Sequence, residues 1–182
     1  MKIRRYYSVL LLFGFCMGFA QSVSTFNIDE AGISFDLPGG WTQSGKTGKL
    51  EYGKVQFDFT HPHVQGEGRV INPSIFVIVD KSSWFKSEEE YLEEKLSFHK
   101  VMDDQIDATY GKDDQENQLN IACYFSIGTS GIPNDPYGQK LLLVTFWNEK
   151  CGFHLQIKTS KKHFESNQSE YEQILKSIRI SN

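Results

Sequence analysis

Cysteine is scarce, with three in 182 residues, and the three do not make a zinc ribbon. A glycine-rich phosphate loop is also missing, as is a calcium loop. Lys112-Asp113-Asp114-Gln115-Glu116-Asn117 has acids without the calcium-loop spacing and reads as a polar turn. Gly128-Thr129-Ser130-Gly131 lacks the strand–turn–helix setting of a nucleophile elbow. Basic charge is not in excess: 19 Lys and Arg face 23 Asp and Glu, a net charge of −4, which argues against nucleic acid as a partner. There is no internal repeat and no low-complexity stretch. Past the first 20 residues no apolar run is long enough to cross a bilayer, which takes ~20 residues. No motif names an activity.

Hydrophobic residues at 39% and charged residues at 23% are enough to bury one core, and the length suits one domain. Aromatics reach 14%, which favours strands carrying large rings. The N-terminus reads as an address. Lys2, Arg4 and Arg5 form a positive start, an apolar run follows from Val9 to Phe19, and Gly18-Phe19-Ala20 places small residues at −3 and −1 of a cut before Gln21. Residues 1–20 are therefore expected to be a secretory signal and 21–182 a single exported domain, periplasmic or extracellular. The rival is a lipoprotein signal ending at Cys16, which the bulky Phe15 disfavours. Cleavage removes three bases and no acids, taking the net charge from −4 to −7. Such acidity favours solubility and disfavours polyanions.

Alternation predicts half-buried strands at Ile33, Phe35, Leu37 and at Val55, Phe57, Phe59. Ser74–Val79 is nearly all apolar, as in a central strand covered on both faces. Ser87 with Glu90 forms a capping box opening a helix over 88–101, with Leu92, Leu96 and His99 on one face. A possible strand at 105–110 precedes three more: Leu119–Ile127, Leu141–Phe146 and Phe153–Ile157. A second helix is expected over about 164–177. One helix after the first strands and one at the end, around strands apolar on both faces, predict an α+β fold: a mostly antiparallel sheet covered by helices on both faces, an α/β/α sandwich.

Gly32-Ile33-Ser34-Phe35-Asp36-Leu37-Pro38-Gly39-Gly40-Trp41 resembles the opening of the PsbP-like family: a strand, a proline, small residues and a tryptophan. Ser74–Asp80 running into Ser87-Glu88-Glu89-Glu90-Tyr91-Leu92 is similar to that family's strand and first helix, and Ile174–Ile180 to its closing helix and terminal segment. The resemblance spans nearly all of the chain after residue 20. It implies an α/β/α sandwich and a binding or accessory role, with no shared catalytic motif to carry over and no implied cofactor.

Among the residues that could carry chemistry, His61-Pro62-His63 with Glu67 is the best metal-like cluster, since two imidazoles and a carboxylate can hold zinc. It lacks a third histidine at helical spacing, so no metal site is expected. His99 with Asp103 is an i, i+4 pair that reads as a helix-end contact. His154 and His163 have no partner visible in sequence. Asn167-Gln168-Ser169 is a glycosylation acceptor only in a eukaryotic secretory route. Trp41 is expected to fold over the strand end as a core anchor. Export makes a Cys123–Cys151 disulfide plausible. A meander of the last three strands would put the pair about 16 Å apart, beyond the ~7 Å a bridge allows.

The reading is a non-enzymatic binding or accessory module with a protein or small ligand of the cell envelope as partner. Loops 61–73 and 129–138, with Tyr137, are its candidate contact surface. The alternatives are a small metal-dependent hydrolase using His61, His63 and Glu67, and a periplasmic chaperone or lipid carrier with an enclosed apolar cavity.

Overall fold

The computed structural model describes residues 22–61, 72–131 and 138–181. The strands are β1 (Val23–Ile28), β2 (Ile33–Pro38), β3 (Thr42–Lys49), β4 (Lys54–Thr60) and β5 (Ser74–Lys81). Then come helix α1 (Glu88–Val101), β6 (Asp104–Tyr110), β7 (Tyr124–Ser130), β8 (Gln139–Trp147) and β9 (Cys151–Ser160). Helices α2 (Lys161–Ser166) and α3 (Gln168–Lys176) and the short β10 (Arg179–Ile180) close the chain. Strands β3-β4-β5-β9-β8-β7-β6 form one antiparallel sheet in that order, and β1-β2-β10 form a second.

The second sheet corrects the expected architecture. The chain is not an α/β/α sandwich with helices on both faces; the described residues are mostly antiparallel sheet with three short α-helices. Alternation in Ile33, Phe35 and Leu37 does report their burial. A period of two fixes which side of a strand is buried, however, and not which sheet the strand joins. β2 pairs with β1 and β10, and its inner face packs on the large sheet. Phe26 meets Phe57 and Phe59 at ring separations of 5.2 and 4.8 Å, and Phe35 meets Phe59 at 5.8 Å, edge to face. Such pairs add about 0.5–1.5 kcal/mol each to the burial of their area. Arg179 clamps β10 to β2 through two hydrogen bonds to the Asp36 carboxylate, at 2.5 and 3.2 Å.

Boundaries differ where irregular backbone carries apolar residues. β7 starts at Tyr124, not Leu119, because Asn117 ties the preceding loop by donating to the carbonyls of Gly111 and Cys123. The terminal helix is two helices, broken at Asn167 (φ −131°, ψ 26°). The helix over 88–101 stands, with Ser87 Oγ accepting from Glu90 N. In the meander of β7, β8 and β9, Val144 faces Leu155 on one side and Phe125, not Cys123, on the other. Cys123 and Cys151 are buried free thiols.

Candidate functional site

The buried stripe of α1 is not the leucine stripe the spacing suggests. Tyr91, Lys95 and His99, at i, i+4 and i+8, are buried, whereas Leu92 and Leu96 are half-buried and Phe98 and Met102 are exposed. The surface beneath explains this. α1 sits on Asp80 of β5, Gly152 and His154 of β9, Thr145 of β8 and Asp104 of β6, so a polar stripe meets a polar floor. Gly152 lets the helix approach: a Cβ there would fall 2.6 Å from the Tyr91 ring.

Two networks hold the helix down. In the first, Asp80 Oδ2 accepts from Tyr91 Oη at 2.9 Å and from Lys95 Nζ at 2.6 Å; Lys95 also meets Glu94 at 3.1 Å. Burial and the Asp80 carboxylate push the Tyr91 phenol well above its ordinary pKa. In the second, His99 Nδ1 lies 2.8 Å from Asp104 Oδ2, His99 Nε2 lies 3.4 Å from His154 Nε2, and His154 Nδ1 lies 2.9 Å from Thr145 Oγ1. With both rings neutral, one arrangement satisfies every contact. His99 Nδ1–H donates to the carboxylate, His154 Nε2–H donates to His99 Nε2, and the Thr145 hydroxyl donates to His154 Nδ1. Burial, with His99 and Lys95 close by, pushes the His154 pKa down to about 3. Asp104 Oδ1 has no hydrogen-bond partner among the described residues and lies 3.9 Å from Lys158 Nζ. Together the two networks tie α1 to β5, β6 and β9.

Beside α1 the sheet is left partly uncovered. A groove of about 230 Å³ runs between the helix and β4, β5 and β9. Phe76 and Ile78 form its floor, Phe98 its wall, and Lys54 and Lys95 flank it; His154 lies at its base. Ser74–Val79 is therefore covered fully on one face only: Ile75, Val77 and Val79 are buried, while Phe76 and Ile78 are half-buried. A second depression, between β7, β8 and α3, is smaller at about 160 Å³. Its one cation, Lys176, already pairs with Glu172 at 3.0 Å.

The residues singled out from sequence lie elsewhere. Trp41 is buried, 7% exposed, in the core that joins both sheets, and its Nε1 donates to Glu170 Oε1 at 2.7 Å. His61 packs edge-on against Trp41 at 5.3 Å and lies 6.2 Å from the His163 ring. His163 in turn contacts Tyr171 Oη at 2.7 Å, and burial with His61 nearby lowers its pKa. His63, Glu67 and Tyr137 lie outside the described residues, as do 62–71 and 132–137 of the two candidate loops. Among the described residues no three metal-capable side chains converge. His99 pairs with Asp104 instead of Asp103. Asp103 takes the left-handed conformation (φ 57°) just past the helix, and that turn swings Asp104 under His99. The alternation of Gly152, His154, Gln156 and Lys158 opposite Phe153, Leu155 and Ile157 was the available signal: a polar strand face under a helix asks for a polar stripe on that helix.

No family model matches the sequence, and no curated protein matches it. Solved structures do match its shape. Cyanobacterial PsbP from Synechocystis superposes with a TM-score of 0.60 at 13% identity, over 93% of this chain and 99% of that one. The chain has a PsbP-like fold. The Ran-binding protein Mog1p of Saccharomyces cerevisiae shares it, with a TM-score of 0.55 at 8% identity over 88% and 96% of the two chains. A Pseudomonas aeruginosa protein of unknown function gives 0.50 at 11% identity over 88% and 98%. At these identities the likeness is one of fold. The PsbP-like resemblance seen in sequence thus stands, while its layer description is corrected as above. Among the described residues no helix is long and apolar enough to cross a membrane.

Proposed function

We propose that this chain is an exported, non-enzymatic binding module that engages its partner through the groove beside α1. The observation that carries the reading is the pairing of an open, apolar-floored groove with a helix fixed over polar contacts. The groove offers Phe76, Ile78 and Phe98 to a ligand, and the Lys95–Asp80 and His99–His154 contacts keep its wall in place. Binding surfaces gain affinity from such preorganisation. The Ran-binding description of Mog1p supports a binding role on this fold. The positive start, apolar run and Gly18-Phe19-Ala20 support export.

Affinity capture from the native cell envelope tests this, comparing wild type with Phe98→Asp. Phe98 is 54% exposed, so the variant keeps the core. A partner held by wild type and lost by the variant is expected. Equal capture by both proteins would place the binding surface elsewhere.

A further inference from the structure

Among the described residues the two sheets end in four edge strands, β1, β10, β3 and β6. Three of them carry a device that blocks further pairing. β3 holds Lys46, Lys49 and a register shift between Gln43 and Gly45. β6 holds Asp104, Asp107 and a shift between Ile106 and Ala108. β10 is two residues long. Charges, bulges and shortness are the usual protection of a sheet edge. β1 has none of them: its six residues, VSTFNI, include no charge, proline or glycine, and its register is unbroken.

The β1–β2 ladder shows which backbone groups of β1 are free. Asp36 N–H donates to Ser177 Oγ at 2.8 Å, away from β1, and Pro38 has no N–H. Thr25 and Val23, which stand opposite them, therefore lie in non-hydrogen-bonded pairs, and Asn27 does so by alternation. These three residues turn their N–H and C=O groups outward, where no described backbone group meets them. Beside that edge lies an uncovered strip of β3. Gln43, Lys46 and Gly48 stand opposite Phe59, Phe57 and Val55, so they share the buried face of β4, yet all three are exposed. Phe26 places β1 over Phe57 and Phe59, and α3 packs on the β2 side. Lys46 lies 5.1 Å over the Phe57 ring and has no ion pair among the described residues. Glu51, the nearest acid in sequence, pairs with Lys49.

We infer that β1 accepts an extended segment of a partner protein as an added strand, with an acidic side chain over Lys46. The outward groups of Val23, Thr25 and Asn27 supply the main-chain pairing, and the strip of β3 receives alternate side chains. A second copy of this chain fits less well, because two chains joined through β1 would each bring a β3 into the same strip. The edge faces away from α1 and is independent of the groove.

The probe is a capped hexapeptide of alternating threonine and valine with one central glutamate, titrated into the full exported chain. Backbone amide NMR is expected to show saturable shifts at Val23, Thr25, Asn27 and Lys46 and none at Phe98. Lysine in place of the peptide's glutamate should weaken binding about fivefold, as should Lys46→Gln with the original peptide. Methylating the peptide amides on its pairing edge should abolish binding. Thr25→Pro removes one outward N–H without touching the β1–β2 ladder and should weaken the peptide about tenfold. Thr25→Val controls for the lost hydroxyl and should bind as wild type does. Binding that survives amide methylation, a test made on the unaltered protein, would overturn strand addition. Equal affinity for the glutamate and lysine peptides would overturn the acidic assignment. Concentration-dependent changes at the same amides without peptide would show a second copy on the edge and overturn the partner assignment. The absence of saturable shifts at β1 would overturn the docking edge itself.

Discussion

His99 and His154 face each other Nε2 to Nε2 at 3.4 Å, so a single proton serves two rings beneath α1. Their outer nitrogens are held by Asp104 and Thr145, which leaves no room for either ring to turn away without breaking a buried contact. The chain of four side chains links a helix, its following strand and the two strands at the sheet's centre. It also makes the seating of α1 sensitive to acid.

The sign of that sensitivity follows from His154. Its pKa is held at about 3 in the folded chain, against an ordinary value near 6.5. Below pH 6.5 the unfolded state therefore binds more protons, and stability falls as the pH falls toward 3; above 6.5 the contribution is fully present. Between pH 7.5 and 5 the loss from this residue is about 2 kcal/mol. Asp36 and Glu172, lowered from ordinary values of 3.8 and 4.5, lose their contributions only in more acid solution and leave this interval to the histidine. Denaturant midpoints of wild type and His154→Gln at the two pH values isolate the histidine. The variant should show a shallower loss; equal slopes would mean that His154 is not the acid-sensitive group.

Lys95 and Asp80 form a buried ion pair at 2.6 Å, with side-chain exposures of 8% and 2%. Removing one partner strands the other. Lys95→Met should cost about 3–5 kcal/mol, and Lys95→Met with Asp80→Leu and Tyr91→Phe, which removes the hydroxyl that Asp80 also accepts from, should recover much of it. Urea midpoints with unchanged m-values provide the check. A combined variant no better than Lys95→Met alone would show that the pair is not coupled.

Trp41 seals the core and donates to Glu170. Trp41→Ala should cost about 3–5 kcal/mol, as large aromatic deletions do. Trp41→Phe keeps a ring in place and loses the hydrogen bond, and should cost about 1–3 kcal/mol. The ordering of the two midpoints is the measurement; a loss under ~1 kcal/mol for Trp41→Ala would contradict its burial.

Cys123 and Cys151 are buried, and burial pushes both thiols up to about 11. Thiolate is the reactive form, so neither should react with an aromatic disulfide reagent in native buffer at pH 8, and both should react in denaturant. Native reactivity at either position would indicate that its strand end opens.

Much of the fold is legible along the chain because burial leaves a period. Helix α1, β4, β5, β8 and β9 follow from apolar spacing and one capping box. β1 and β3 do not: Val23–Ile28 and Thr42–Lys49 are largely exposed and polar, so they carry no apolar alternation. Their pairing is set by neighbours distant in sequence. The groove is half legible. Ser74–Val79 is apolar on both faces, but only the packed structure reveals that α1 stops short of Phe76 and Ile78. The polar networks under α1 are legible in retrospect from Tyr91, Lys95 and His99. Spacing drew attention to the leucines beside them, because apolar stripes normally face a core.

The most direct measurement places a photoreactive residue at Phe98 in one protein and at the exposed Glu165 in another, each irradiated in the producing cell. A binding module that works through the groove beside α1 gives a covalent adduct from position 98 and none from position 165. Adducts from 165 alone, or equal adducts from both, would contradict it.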